Sequence, residues 1–137
     1  EVFKKYKTLN LVLTEEEYFD AELITGFRNF CENNGFDFQV LDGLEGEEVE
    51  EGNAYLTMDD TDLVYAIKSS TTQGFTLGKE VGLISLNDSC YKEILAGGIT
   101  VISSPLEEVG KIAASVVVEG KKTSTQMPMQ IILRNSL

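Results

Sequence analysis

Apolar residues along the chain fall in short runs separated by polar, glycine-containing breaks, and their period changes from run to run. Thr8 to Leu13 (TLNLVL) is compact and apolar and predicts a strand. Thr14-Glu15-Glu16-Glu17 then reads as a capping box, with Thr14 as N-cap and Glu17 reaching back to it. Phe19, Leu23, Phe27, Phe30 and Cys31 follow at helical spacing, and Gly35 after Asn33-Asn34 supplies a C-terminal stop. Phe36 to Leu41 alternates as a second strand. The stretch from Asp42 to Gly52, including the acidic run Glu45 to Glu51, reads as a solvated loop.

The second half repeats the alternation. Ala54 to Met58 predicts a third strand, and Asp60 or Thr61 is placed to cap a helix carrying Leu63, Val64 and Ile67 that stops near Gly74. Val81 to Leu86 is almost wholly apolar, as expected of a strand buried on both faces of a parallel sheet. Cys90 to Leu95 fits one or two helical turns broken by Gly97-Gly98, and Ile99 to Ser103 is a fifth strand. The next helix should start with Ser104 as N-cap, Pro105 at the first helical position and Glu107 two residues further on. Its apolar positions are Leu106, Val109, Ala113, Val116 and Val117, and Gly120 ends it. Met127 to Leu133 suits a final strand, which Pro128 confines to an edge.

Alternating strands and helices predict an α/β fold with three α/β/α layers around a mainly parallel, flavodoxin-like sheet of order 2-1-3-4-5. One connection strains this scheme. A parallel crossover usually holds a helix, and Asp42 to Asn53 is short and poorly apolar. The 137 residues, 42 % apolar and 25 % charged, fit a single unit spanning 1–137. No internal repeat or interdomain linker is visible.

Charge narrows the function. Eleven basic residues against 23 acidic ones give −12, a balance that repels phosphate backbones. The chain by itself should not bind DNA, and it has no basic amphipathic stripe or long apolar run for a membrane. No secretory leader is visible, and Cys31 and Cys90 fit no CxxC pattern, so both read as reduced thiols in a cytoplasmic protein. Cys31 lies on an apolar helix face and reads as core. Histidine is absent, which removes the commonest general base and metal ligand and every Ser–His–Asp or Cys–His arrangement. With no phosphate-binding or nucleophile-elbow motif either, neither a catalytic residue nor a metal or cofactor is expected, and the elimination favours a non-enzyme.

Two polar clusters fall at predicted carboxyl ends of strands, where ligands of open α/β sheets bind. Asp59-Asp60-Thr61-Asp62 follows the third strand, and Asn87-Asp88-Ser89 follows the fourth. The carboxylates suit sugar hydroxyls or a hard cation. Equally, Asp60 and Asp62 suit helix capping, and Asp88 or Ser89 suits the cap of the next short helix.

From Ala54 onward the chain resembles the second subdomain of the effector domain of the lactose-repressor and galactose-repressor family, half of a type I periplasmic-binding-protein-like fold. Ala54 to Asp60 (AYLTMDD), Leu77 to Asp88 (LGKEVGLISLND) and Ile99 to Ala114 (ITVISSPLEEVGKIAA) carry the resemblance. Leu133 to Leu137 resembles the usual chain end, and Ile24-Thr25-Gly26-Phe27-Arg28 the opening helix. The wording is closest to regulators joining a GntR-type DNA-binding domain to this effector domain. The resemblance implies a ligand-sensing and oligomerisation subdomain of a bacterial transcription regulator, without its DNA-binding domain or first effector subdomain. It implies a small-molecule effector, a sugar being one candidate, a homodimer, and DNA contact only through a domain outside this chain.

The family's ligand-binding positions fall on Asp59, Asn87 and Ser104, and a family arginine position falls on Leu23. None of the four keeps the family's usual residue, although Asp59 and Asn87 stay polar. The resemblance also implies that the helix after Ser104 leaves this subdomain for the other one. Without that partner, its apolar face should pair with a second copy or fold back on its own sheet. Two rivals remain at this point: a phosphoacceptor receiver domain using Glu15, Glu16 and Asp59, which lacks a lysine after the fifth strand, and a small enzyme using Asp59 and Asp88.

Overall fold

The strongest constraint on the chain is the run of parallel apolar strands, which need helices to cover both faces. The computed structural model describes residues 2–14, 21–120 and 124–137. A short 3-10 turn, Val2–Lys5, leads into β1 (Thr8–Leu13). Then come α1 (Ala21–Asn34), β2 (Asp37–Asp42), β3 (Asn53–Thr57), α2 (Asp60–Gln73), β4 (Gly82–Leu86), α3 (Cys90–Ile94), β5 (Thr100–Ser103), α4 (Leu106–Glu119) and β6 (Gln130–Ile132). The six strands form one sheet of order β2-β1-β3-β4-β5-β6, all parallel except β6, which runs antiparallel to β5 at the edge. This is the expected α/β arrangement around a mainly parallel sheet.

Strand period divides the core. On one side Leu9 and Ala54 pack with Cys31 of α1, Tyr6 and the rings of Phe3, Phe27, Phe36 and Phe38. On the other Val12, Tyr55, Leu83 and Val101 pack with Leu63 and Ala66 of α2. Leu9 and Val12, or Ala54 and Tyr55, are an odd number of residues apart and so face opposite ways. Cys31 is fully buried, and burial, then the Glu32 carboxylate, pushes its thiol pKa up. The core reading of that residue follows.

Three expectations change. The loop between β2 and β3 carries no crossover helix, but it is not simply solvated. Leu44 and Val49 enter the α2 side of the core. The Leu44 amide donates to Asp62 Oδ1 at 2.7 Å, the Val49 amide to Ser69 Oγ at 2.9 Å, and Gln73 Nε2 donates to the Val49 carbonyl at 2.8 Å. The loop is thus stapled to α2, which serves as the cover a crossover helix would otherwise supply.

Next, α4 begins at Leu106 with Pro105, not Ser104, at the cap position and no side-chain cap. The Ser104 hydroxyl instead donates to the Met129 sulfur of the returning chain, 3.1 Å away. Glu17, the expected partner in the Thr14 capping box, lies outside the described residues, as do Glu15, Glu16 and Phe19.

Last, α4 contributes no buried residue to either core cluster among the described residues, and only Ile112 and Val116 are half-buried. Antiparallel neighbours such as β5 and β6 need only a tight hairpin between them. The excursion from Ser104 to Met129 is therefore an arm carried on the sheet's edge, not a connection the sheet requires.

Candidate functional site

Parallel pairing of β3, β4 and β5 puts their carboxyl ends side by side, so the residues after Thr57, Leu86 and Ser103 share one edge. Asp59, Asn87 and Ser104 all lie there. Asp59 and Asn87 line a common crevice of about 350 Å³ together with Met58, Tyr91 and Lys92. Ser104 lines an adjoining crevice of about 580 Å³, and the two share Asp88 and Ser89. Leu23 lies elsewhere, in an apolar groove of about 450 Å³ between α1 and the sheet.

Each side chain on the edge has a local cause. Asp59, extended at φ −119°, is the N-cap of α2, and its Oδ1 accepts from the amides of Thr61 at 2.6 Å and Asp62 at 3.0 Å. The capping expected of Asp60 or Thr61 therefore falls one residue earlier, and Asp62 turns inward to hold Leu44. Asn87 adopts a left-handed φ of 60°, tolerable for asparagine, and its amide donates to the Ile102 carbonyl at 2.8 Å. The turn throws its side chain out of the sheet and into the open.

Lys92 is the residue the sequence did not single out. It is 3 % exposed, and its ammonium donates to Ser85 Oγ at 2.9 Å, the Leu86 carbonyl at 2.8 Å and the Asn87 carbonyl at 3.0 Å. Asp60 Oδ1 lies 2.9 Å away as its counter-charge. A lysine has three N–H donors, so these contacts occupy it completely. Burial works upward on the Asp60 pKa, but the Tyr91 hydroxyl and Lys92 together outweigh it and leave the carboxyl below its usual range. Lys92 thereby ties α2, α3 and the end of β4 into one rim.

Asp88 does not cap α3. The Ser89 N-cap makes no side-chain cap bond either. Both Asp88 oxygens meet the Arg134 guanidinium at 2.9 Å, and the Asp88 amide donates to Ser103 Oγ at 3.1 Å. The Arg134 guanidinium, working against burial and aided by the Ser89 amide, holds the Asp88 carboxyl below its ordinary value.

A depressed folded-state pKa contributes stability above the unfolded value and loses it as pH falls through the folded one. The stability gap between the wild type and Asp88→Asn is therefore expected to be full at neutral pH. It should shrink as pH falls from about 4, the ordinary aspartate value, through the lowered folded value. Urea titrations of both proteins at several pH values check this. A gap that stays constant on acidification contradicts the ion pair.

The fold defines half of a periplasmic-binding-protein-like architecture, with polar crevices along the carboxyl edge of its sheet. The comparisons give that class its family. The periplasmic binding protein-like domain profile matches residues 4–137, and the chain belongs to that family.

Among solved structures it is similar to a LacI family transcriptional regulator from Bifidobacterium animalis subsp. lactis (20% identity, TM-score 0.79, covering 98% of this chain and 56% of that one). A sugar-binding LacI family transcriptional regulator from Escherichia coli, complexed with phosphate, matches at 15% identity and TM-score 0.72, with 98% and 56% coverage. A probable maltose operon transcriptional repressor from Staphylococcus aureus matches at 17% identity and TM-score 0.72, with 98% and 55% coverage. The chain thus spans little more than half the length of each. Among curated proteins, no sequence relative matches.

Proposed function

We propose that this chain is the ligand-sensing effector subdomain of a LacI-like transcription regulator, and that it is not an enzyme. The observation that carries the reading is the crevice holding Asp59 and Asn87 at the carboxyl edge, in a chain of the periplasmic binding protein-like family. A small molecule, with a sugar as the first candidate, binds there through hydroxyls donated to Asp59 and shared with the Asn87 amide. Ser104 lines the neighbouring wall. Binding favours one arrangement of the two subdomains over another, which is how occupancy becomes regulation. The cytoplasm, a homodimer and a GntR-type DNA-binding domain elsewhere in the full regulator complete the proposal. The family match supports this reading over a receiver domain or a carboxylate enzyme. Asp88, the second carboxylate of the enzyme reading, is also held on Arg134.

Titrating the isotopically labelled chain with neutral monosaccharides tests the site. Amide shifts are expected at Met58 to Thr61 and Leu86 to Ser89, weak because only half of the site is present. Shifts confined to the α1 groove, or none at saturating sugar, overturn it. The same chain is expected to bind duplex DNA no more tightly than about 10⁻⁴ M at physiological salt, because its charge of −12 opposes the phosphates. A micromolar constant by fluorescence anisotropy contradicts that.

A further inference from the structure

In an extended strand successive carbonyls point to opposite sides, so two consecutive ones meet the same cation only where the residue between them leaves the strand conformation. That happens where β4 ends. The Leu86 and Asn87 carbonyls both accept from the Lys92 ammonium, at 2.8 and 3.0 Å, and Asn87 between them has the left-handed φ of 60°. Each peptide group flanking Asn87 is held at both ends. The first is pinned at the Leu86 carbonyl by Lys92 and at the Asn87 amide by the Ile102 carbonyl, 2.8 Å away. The second is pinned at the Asn87 carbonyl by Lys92 and at the Asp88 amide by Ser103 Oγ, 3.1 Å away. One hydrogen bond leaves a peptide free to tilt about it; two fix its plane. β5 supplies one pin to each peptide and Lys92 the other. Lys92 is itself fixed: its amide donates to the Ser89 carbonyl at 3.0 Å, and its carbonyl accepts from the Ile99 amide at 2.8 Å.

Resting on the effector-site reading above, we propose that Lys92 is a positioning residue of the crevice: it holds Asn87 in the left-handed turn that presents the Asn87 side chain to a bound molecule. It does so without touching the ligand, because Ser85, Leu86 and Asn87 take its N–H groups. A side chain at left-handed φ costs free energy, and asparagine only tolerates the conformation; it persists where the surroundings over-determine it. Charge-assisted bonds from one ammonium to both carbonyls supply that excess. Without them the turn relaxes toward the extended conformation, and the Asn87 side chain follows the alternation of the strand instead of the crevice wall.

The test reads Asn87 first without any ligand. In the labelled chain, a strong intraresidue amide–Hα cross-peak marks the positive φ of Asn87 in the wild type. Lys92→Met keeps most of the buried stem and removes the donors, and Asp60, with its side chain 62 % exposed, stays in water. In that variant the Asn87 cross-peak is expected to fall to the strength seen within β4, while the amides of β1 and α1 stay in place. Glucose-induced shifts at Leu86 to Ser89, expected in the wild type, should be lost.

A folded Lys92→Met that keeps the positive φ at Asn87 overturns the proposal and leaves the effector site standing, since Lys92 would then only tie elements together. A wild type without glucose shifts at this edge overturns the effector-site reading, while the Asn87 cross-peak still decides whether Lys92 holds the turn. If Lys92→Met does not fold, Lys92→Met with Asn87→Gly decides. Glycine takes the left-handed φ freely, so a turn that no longer needs holding is expected to restore the fold. A double variant that stays unfolded puts the role of Lys92 in its other contacts and overturns the proposal.

Discussion

Gly78→Ala is expected to destabilise the chain by about 3–5 kcal/mol, an unusually large effect for one methyl group. Gly78 sits at φ +80°, and a Cβ there would lie 2.0 Å from the Asn135 carbonyl oxygen and 3.1 Å from its carbon. Those are backbone atoms with nowhere to go. Asn135 precedes Ser136, which is fully buried and acts as a hook across two strands. Its hydroxyl donates to the Leu83 carbonyl at 2.6 Å and accepts from the Thr100 amide at 2.8 Å. Its backbone carbonyl accepts from the Leu83 amide at 2.8 Å, and its amide donates to the Gly98 carbonyl at 3.1 Å. Moving Asn135 aside loosens all of these at once and leaves buried groups unpaired.

Gly74→Ala is the control. Gly74 caps α2 at φ +77°, but nothing lies within 4 Å of a Cβ there, so only the left-handed strain of about 1–2 kcal/mol applies. Urea midpoints of the two variants against the wild type decide the matter. Equal losses would mean that the tail does not dock on Gly78.

That hook also marks the limit of what the residue pattern conveys. β1, β3, β4 and β5 are legible because short apolar runs bounded by turn residues have few other uses, and β1 starts and ends where its pattern does. The stops at Gly74 and Gly120 are legible because both need a left-handed residue. The loop from Gly43 to Gly52 is not. Leu44 and Val49 stand among acids at a spacing that fits neither a helix face nor a strand. Only the partners on α2, Asp62, Ser69 and Gln73, explain their burial.

Asp59 shows a smaller slip: four candidate caps in a row make the true one ambiguous by a residue, and backbone geometry chooses. A lysine in a short helix ordinarily reads as solvated, and the burial of Lys92 depends on acceptors that exist only once β4 ends beside α3 and α2. Arg134 and Asp88 meet across 46 residues of sequence, a pairing that charge patterning along the chain does not reveal. The resemblance names Asp59, Asn87 and Ser104, and the parallel register places all three at the carboxyl edge of the sheet. The cancellation of charge around them appears only in three dimensions.

The helix α4 was legible as a helix, and its partner was not, which makes it the source of the second large effect. The chain is expected to self-associate at concentrations of tens to hundreds of micromolar, and Val117→Asp is expected to weaken that association at least thirtyfold. Leu106, Val109, Val117 and Val118 are all exposed, Val117 at 82 %, and no residue of the helix is buried. A cluster of that kind in water is unfavourable, since each Val or Leu side chain gains roughly 1.5–3 kcal/mol on burial. A symmetric pairing of two arms covers both at once, and every substitution then acts twice. Gly110, with open space where a Cβ would stand, and Ala114 allow the two backbones to approach closely.

Val117 is a sharper probe than the half-buried Val116, because a carboxylate at an exposed position leaves the monomer's core untouched. Losing one buried valine per arm corresponds to at least about 2 kcal/mol, or about thirtyfold in the dissociation constant, before the cost of placing two aspartates together. Sedimentation equilibrium of both proteins, with circular dichroism to show that the variant keeps its fold, provides the measurement. A wild type that stays monomeric at several hundred micromolar would mean that the arm tolerates water alone. Its apolar face would then be kept for a partner other than a second copy of this chain.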